Sequence, residues 1–113
     1  MGRKEEFRDF VLDQLRGLEE VDCKAMFGGY GLYHRGVFFG LLAREQLYFK
    51  TDPDSAADYR DRGMTCFQPS SRQKLKNYYE VPAEILEEAD RLAEWARKAV
   101  DVALAQAGPK GKT

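Results

Sequence analysis

Apolar side chains recur at Phe7, Phe10, Val11, Leu15 and Leu18, three or four residues apart, with only Gln14 interrupting the stripe. That spacing predicts an amphipathic helix whose apolar face needs a partner. Gly17 and the acidic pair Glu19-Glu20 mark its end. The pattern then changes period. Lys24 to Phe27, Gly29 to His34, Val37 to Ala43 and Leu47 to Thr51 read as strands rich in β-branched and aromatic residues. Arg35-Gly36 and Arg44-Glu45-Gln46 are connections too short for parallel crossovers, so the strands are antiparallel. Tyr30, Leu32 and His34 share one face of their strand, and Gly31 and Tyr33 share the other. Apolar groups on both faces predict one face under helices and the other partly under a partner.

Asp52-Pro53-Asp54-Ser55 is a helix start. Asp52 suits the cap, Pro53 the first helical position and Asp54 the positive end of the dipole. Gly63 ends this helix. Thr65 to Pro69 and Asn77 to Val81 read as a strand pair joined by a polar, basic loop from Ser70 to Lys76. Pro82 opens a last helical region, whose apolar face runs from Ile85 through Leu92, Ala96 and Val100 to Leu104. A break near Glu87 to Asp90 would let Asp90 cap a second helix, and Trp95 and Val102 fall off the centre of that face. The order predicts an α+β fold, an antiparallel sheet of about 5–6 strands flanked by N-terminal, middle and C-terminal helices. It predicts a single domain over residues 1–107 and a disordered tail over residues 108–113.

Composition narrows the function. The 113 residues are 43% hydrophobic and 12% aromatic, enough for a real core. A formal net charge of −1 gives no global attraction to nucleic acid or to an anionic membrane. That balance is uneven, however: residues 60–77 carry Arg60, Arg62, Arg72, Lys74 and Lys76 against Asp61, whereas residues 80–101 are acidic. Cys23 and Cys66 form neither a disulfide framework nor a zinc spacing, and read as small core hydrophobes. No apolar run approaches a membrane span, and the mixed-charge N-terminus is not a signal peptide. The expectation is a cytoplasmic domain without metal or cofactor.

The most unusual string is Met26-Phe27-Gly28-Gly29-Tyr30-Gly31-Leu32-Tyr33. Its glycines permit a bulge, a strand crossing, or the close approach of a ligand or partner. It is not a dinucleotide fingerprint, because His34 stands where the third glycine belongs and no helix follows. The single histidine, His34, reads as a solvated turn residue, and no GxSxG elbow occurs. Glu5-Glu6, Glu19-Glu20 and Glu87-Glu88 are adjacent in sequence and splay apart on helices, so they form no acid–base dyad. A non-enzymatic protein is therefore expected. Arg72, Lys74 and Lys76, followed by Tyr78 and Tyr79, read either as a charged hairpin loop or as contacts for single-stranded nucleic acid. Lys50, beside Tyr48, is a second candidate anion contact.

Ala25-Met-Phe-Gly-Gly-Tyr-Gly-Leu-Tyr33, Val37-Phe-Phe-Gly-Leu41, Leu47-Tyr-Phe-Lys50, Tyr78-Tyr-Glu-Val-Pro82 and Leu92-Ala-Glu-Trp-Ala96 together resemble the amino-terminal domain of the TfoX (Sxy) competence-regulator family. The likeness runs from about Val21 to Leu104. It implies an antiparallel sheet flanked by helices. In full-length members it implies a second, carboxy-terminal helical domain and promotion of DNA-uptake genes. This chain stops at Thr113, so a stand-alone domain is expected. The resemblance implies no catalytic residues; its signature positions, Met26, Phe27, Gly28, Gly29, Tyr30, Lys50 and Tyr79, are a candidate binding surface. The leading expectation is a regulatory or adaptor module working through an unknown protein partner. The alternatives are a weak nucleic-acid-binding domain using Arg72, Lys74 and Lys76, and a small-ligand-binding protein with the glycine-rich strand as a pocket wall. A homodimer is also expected from an open sheet edge and surplus apolar surface on the last helix.

Overall fold

The computed structural model describes residues 3–26 and 28–112. Helix α1 (Arg3–Gln14) leads into strands β1 (Val21–Met26), β2 (Gly29–His34), β3 (Val37–Ala43) and β4 (Gln46–Lys50). Helix α2 (Pro53–Arg60), strands β5 (Cys66–Ser70) and β6 (Gln73–Glu80), and helices α3 (Ala83–Leu86) and α4 (Ala89–Lys112) follow. The strands form one antiparallel sheet in the order β1-β2-β3-β4-β6-β5, and the fold is α+β as its element order predicts. The radius of gyration, 13.4 Å, is that expected of a folded domain of this length.

Side chains from all four helices cover one face of the sheet. Val11 and Leu15 of α1, Tyr59 of α2, Ile85 of α3 and Leu92, Ala96 and Val100 of α4 join Leu32, Phe39, Leu42, Leu47 and Phe49 in the main core. Ala93 of α4 stands 3.0 Å from where a Cβ on Gly17 would lie, so the chain leaving α1 passes close against α4. Arg97 fixes that crossing by donating to the Gly17 carbonyl at 2.8 Å.

The opposite face has a second, smaller core made of strand residues: Leu41, Tyr48, Phe67 and Tyr78, flanked by Phe38, Ala43 and Leu75. Two irregularities build it. Leu32 pairs with Gly40 and Tyr33 with Phe38, leaving Phe39 unpaired in a bulge, which sends Phe39 and Leu42 to the main core and Phe38 and Leu41 to the other. The second shift, in the β5–β6 pairing, puts Leu75 on the same side as Tyr78. The twisted hairpin brings Phe67 against Tyr48, with ring centroids 4.7 Å apart. Arg44, in the β3–β4 turn, holds it there by donating to the carbonyls of Gln68 at 3.3 Å and Pro69 at 2.9 Å.

Several sequence expectations are corrected. The basic segment from Ser70 to Lys76 is not a loop: β6 begins at Gln73 and only residues 71 and 72 turn. Exposure of Lys74, Lys76 and Asn77 in the outer part of the hairpin keeps that strand polar, which is why it reads as a loop. Of the two tyrosines that follow, neither is left outside: Tyr78 is buried in the second core and Tyr79 packs against the main one. Asp90 lies in the first turn of α4 and does not cap it, although the break between α3 and α4 falls where the sequence allows one. The helical backbone of α4 runs to Lys112. Thr113 lies outside the described residues. No helix among the described residues is long and apolar enough to cross a membrane.

Candidate interaction surface

The glycine-rich turn is built by packing. Gly28 turns the chain between β1 and β2 at φ +75°, in the region that favours glycine. At Gly29, a Cβ would lie 2.0 Å from the Leu42 carbonyl oxygen, so the backbones of β2 and β3 meet where no side chain fits. At Gly31, a Cβ would lie 2.6 Å from Met26 Cε and 3.0 Å from the Phe38 ring; these two side chains fill the place a ligand would need. The void beside Gly29 and Tyr30 is about 10 Å³, room for a water molecule at most.

The signature positions do not converge. Tyr30 packs against the main core, with the Arg8 guanidinium 5.2 Å from its ring centroid and 3.4 Å from its hydroxyl. Tyr79 packs against the same core, 5.8 Å from the Tyr59 ring, and accepts a bond from Arg60 at 3.4 Å. Met26 and Lys50 are on the opposite side of the sheet. The Lys50 ammonium lies 4.9 Å from the Tyr78 ring centroid and donates to its hydroxyl at 3.3 Å. Burial holds the Lys50 ammonium below its ordinary pKa and raises the Tyr78 phenol above its own. Phe27 lies outside the described residues. The described side chains among these positions thus divide between the two faces of the sheet, Tyr30 and Tyr79 on one and Met26 and Lys50 on the other.

Arg72, Lys74 and Lys76 are exposed at and beside the β5–β6 turn and form no ion pair among the described residues. Cys23 and Cys66 are free thiols on the two opposite edge strands, β1 and β5. Among the described residues, no three His, Cys, Asp or Glu side chains gather as a metal site.

A surface that the sequence does not point to lies where the β2–β3 turn meets the middle turns of α4. A groove of about 630 Å³ runs between Leu18, Glu19, His34 and Val37 on one side and Arg97 and Leu104 on the other. A second, of about 450 Å³, lies between Phe38, Lys50 and Gln106 and shares Val37 and Leu104 with the first. Leu104 stands between them 49% exposed. The floor is rigid. His34 is not a free turn residue: its Nδ1 lies 2.7 Å from the Glu19 carbonyl oxygen. Arg35 pairs with Glu19 and Glu20 at 3.3 and 3.1 Å. Leu104 is in step with the apolar face of α4, so periodicity alone counts it as core.

A family model, TfoX N-terminal domain, matches residues 13–103. The chain belongs to this family. No curated protein matches it. The matched span of this TfoX N-terminal domain takes in the whole sheet and ends one residue before Leu104, and its glycine-rich signature is the β1–β2 turn described above.

Proposed function

We infer that this TfoX N-terminal domain is a regulatory or adaptor module that works through protein–protein contact, without catalysis or cofactor. The observation that carries the reading is Leu104. A large apolar side chain stands exposed between two grooves, with His34, Arg97, Lys50, Glu19 and Asp101 around it. An apolar anchor inside a polar rim is the usual anatomy of a protein interface. The partner it fits is a protein presenting an apolar ridge with polar shoulders. Control of gene expression, including genes for DNA uptake, is the finer role that the resemblance to the competence regulators favours, with the cytoplasm as its compartment. The test is affinity capture with purified variants. Leu104→Asp is expected to lose a partner that both the parent chain and Leu104→Met retain. Retention of every partner by Leu104→Asp overturns the reading.

A second reading rests on the unpaired cations of the hairpin: Arg72, Lys74 and Lys76 are free to meet phosphates. It predicts binding of single- or double-stranded DNA that weakens steeply with salt and is lost in the triple alanine variant. Absence of binding at low salt removes it.

A further inference from the structure

We propose that β1 is a dimerisation edge, at which a second copy of this chain adds its own β1 antiparallel, centred on Cys23. The inference goes beyond the adaptor reading and does not depend on it.

The edge is open. Arg35 donates from its backbone to the Glu20 carbonyl at 3.2 Å, one step beyond the Val21–His34 pair. Opposed residues in antiparallel strands alternate between hydrogen-bonded and non-hydrogen-bonded pairs. Asp22, Lys24 and Met26 therefore spend their backbone groups on β2. The N–H and C=O of Val21, Cys23 and Ala25 point outward. Glu20 at φ +54° and Gly28 at φ +75° break the extended backbone on either side, so the free template is one short strand. The opposite edge is closed: β5 contains Pro69, and Arg44 occupies the Gln68 and Pro69 carbonyls.

The charges choose the partner and the register. Asp22 and Lys24 both lie on the face away from the helices, where the Lys24 ammonium is 5.0 Å from the Tyr33 ring centroid. Only outward-pointing residues can bond across the new seam, so the two copies can slide only in steps that keep Val21, Cys23 and Ala25 matched among themselves. Centred on Cys23, Asp22 of each copy faces Lys24 of the other, twice over, at non-hydrogen-bonded positions where side chains are closest. Sliding one step either way places Asp22 opposite Asp22 or Lys24 opposite Lys24, and both are repulsive. In the favoured register Val21 faces Ala25 and Cys23 faces Cys23 on the helix side. Two six-stranded sheets become one, with all helices on the same side.

Sedimentation velocity over a concentration series tests this. The parent chain is expected to dimerise, and Asp22→Lys and Lys24→Asp each to raise the dissociation constant about tenfold or more. The double exchange D22K/K24D restores the opposite-charge pairs and is expected to return the constant to near the parent value. Hydrogen exchange on the parent chain gives a second reading: the amides of Val21, Cys23 and Ala25 gain protection as concentration rises, and those of β5 do not. A parent chain that stays monomeric at millimolar concentration, or single variants that dimerise as well as the parent, overturns the proposal. So does exchange at Val21, Cys23 and Ala25 that is independent of concentration.

Discussion

The ring of Trp95 meets that of Tyr59 edge-on, with centroids 4.8 Å apart and an interplanar angle of 71°. This contact joins α2 to α4, and the Arg62 guanidinium closes over the indole at 5.4 Å from its centroid. Trp95, off the centre of the α4 face, is therefore half-buried against α2. Arg62 also pairs with Glu84, so the turn after α2 is linked to α3. Trp95→Ala is expected to destabilise the fold by about 3 kcal/mol, and Trp95→Phe by less, because the edge-on contact is partly kept. Urea denaturation followed by far-ultraviolet circular dichroism measures both.

The glycines of the β1–β2 turn separate by cause. Gly29→Ala drives a Cβ into the Leu42 carbonyl, a backbone atom that cannot step aside, and is expected to cost the most. Gly31→Ala meets the flexible end of Met26 and costs less. Gly28→Ala has open space around it and pays only the left-handed backbone, about 1 kcal/mol, which Gly28→Asn largely avoids. Denaturation midpoints should fall in that order.

Burial raises the phenol pKa of Tyr48, Tyr59 and Tyr78, and most strongly that of Tyr59. A group whose pKa is higher folded than unfolded keeps its proton in the folded state after the unfolded chain has lost it. Stability is then intact below the ordinary tyrosine pKa of about 10 and falls as pH rises above it. Lys50, held below its ordinary value, opposes this trend over part of the same range. Tyr59→Phe should make the alkaline slope shallower by up to about 1.4 kcal/mol per pH unit. Denaturant titrations between pH 8 and pH 12 check it.

Asp52 caps α2: its carboxylate accepts from the Ser55 backbone N–H at 2.8 Å, and Ser55 Oγ accepts from the Asp52 N–H at 3.0 Å. The bond from the Ser55 N–H holds the Asp52 carboxyl below its usual range. Its contribution is present above the ordinary carboxylate pKa and is lost as pH falls through the lowered one. Asp52→Ala should lower the thermal midpoint at pH 7, and Asp52→Asn, still a good cap, should lower it less and lack that acid-dependent part. Thermal melts from pH 7 down to pH 2 distinguish the two.

The helix start at Asp52-Pro53 and the two strands β2 and β3 are legible in sequence to the residue, because capping chemistry and a period of two are local. The TfoX resemblance is legible for a similar reason: its signature glycines each meet a local demand, a left-handed turn at Gly28, a backbone contact at Gly29 and packed side chains at Gly31, so the motif is written in contiguous residues. The candidate surface is not. Tyr30, Lys50 and Tyr79 share a family pattern yet face different cores, and Leu104 continues an apolar stripe yet stands exposed.

By itself the sequence determined the order of elements and their antiparallel joining, both set by side chains a few residues apart. Only the tertiary structure decided which face each strand residue serves. The Phe39 bulge and the shifted β5–β6 pairing change the alternation partway along a strand. It also decided which apolar groups stay uncovered. Coverage of Trp95 by α2 and exposure of Leu104 depend on where distant segments end in space, which no local period records.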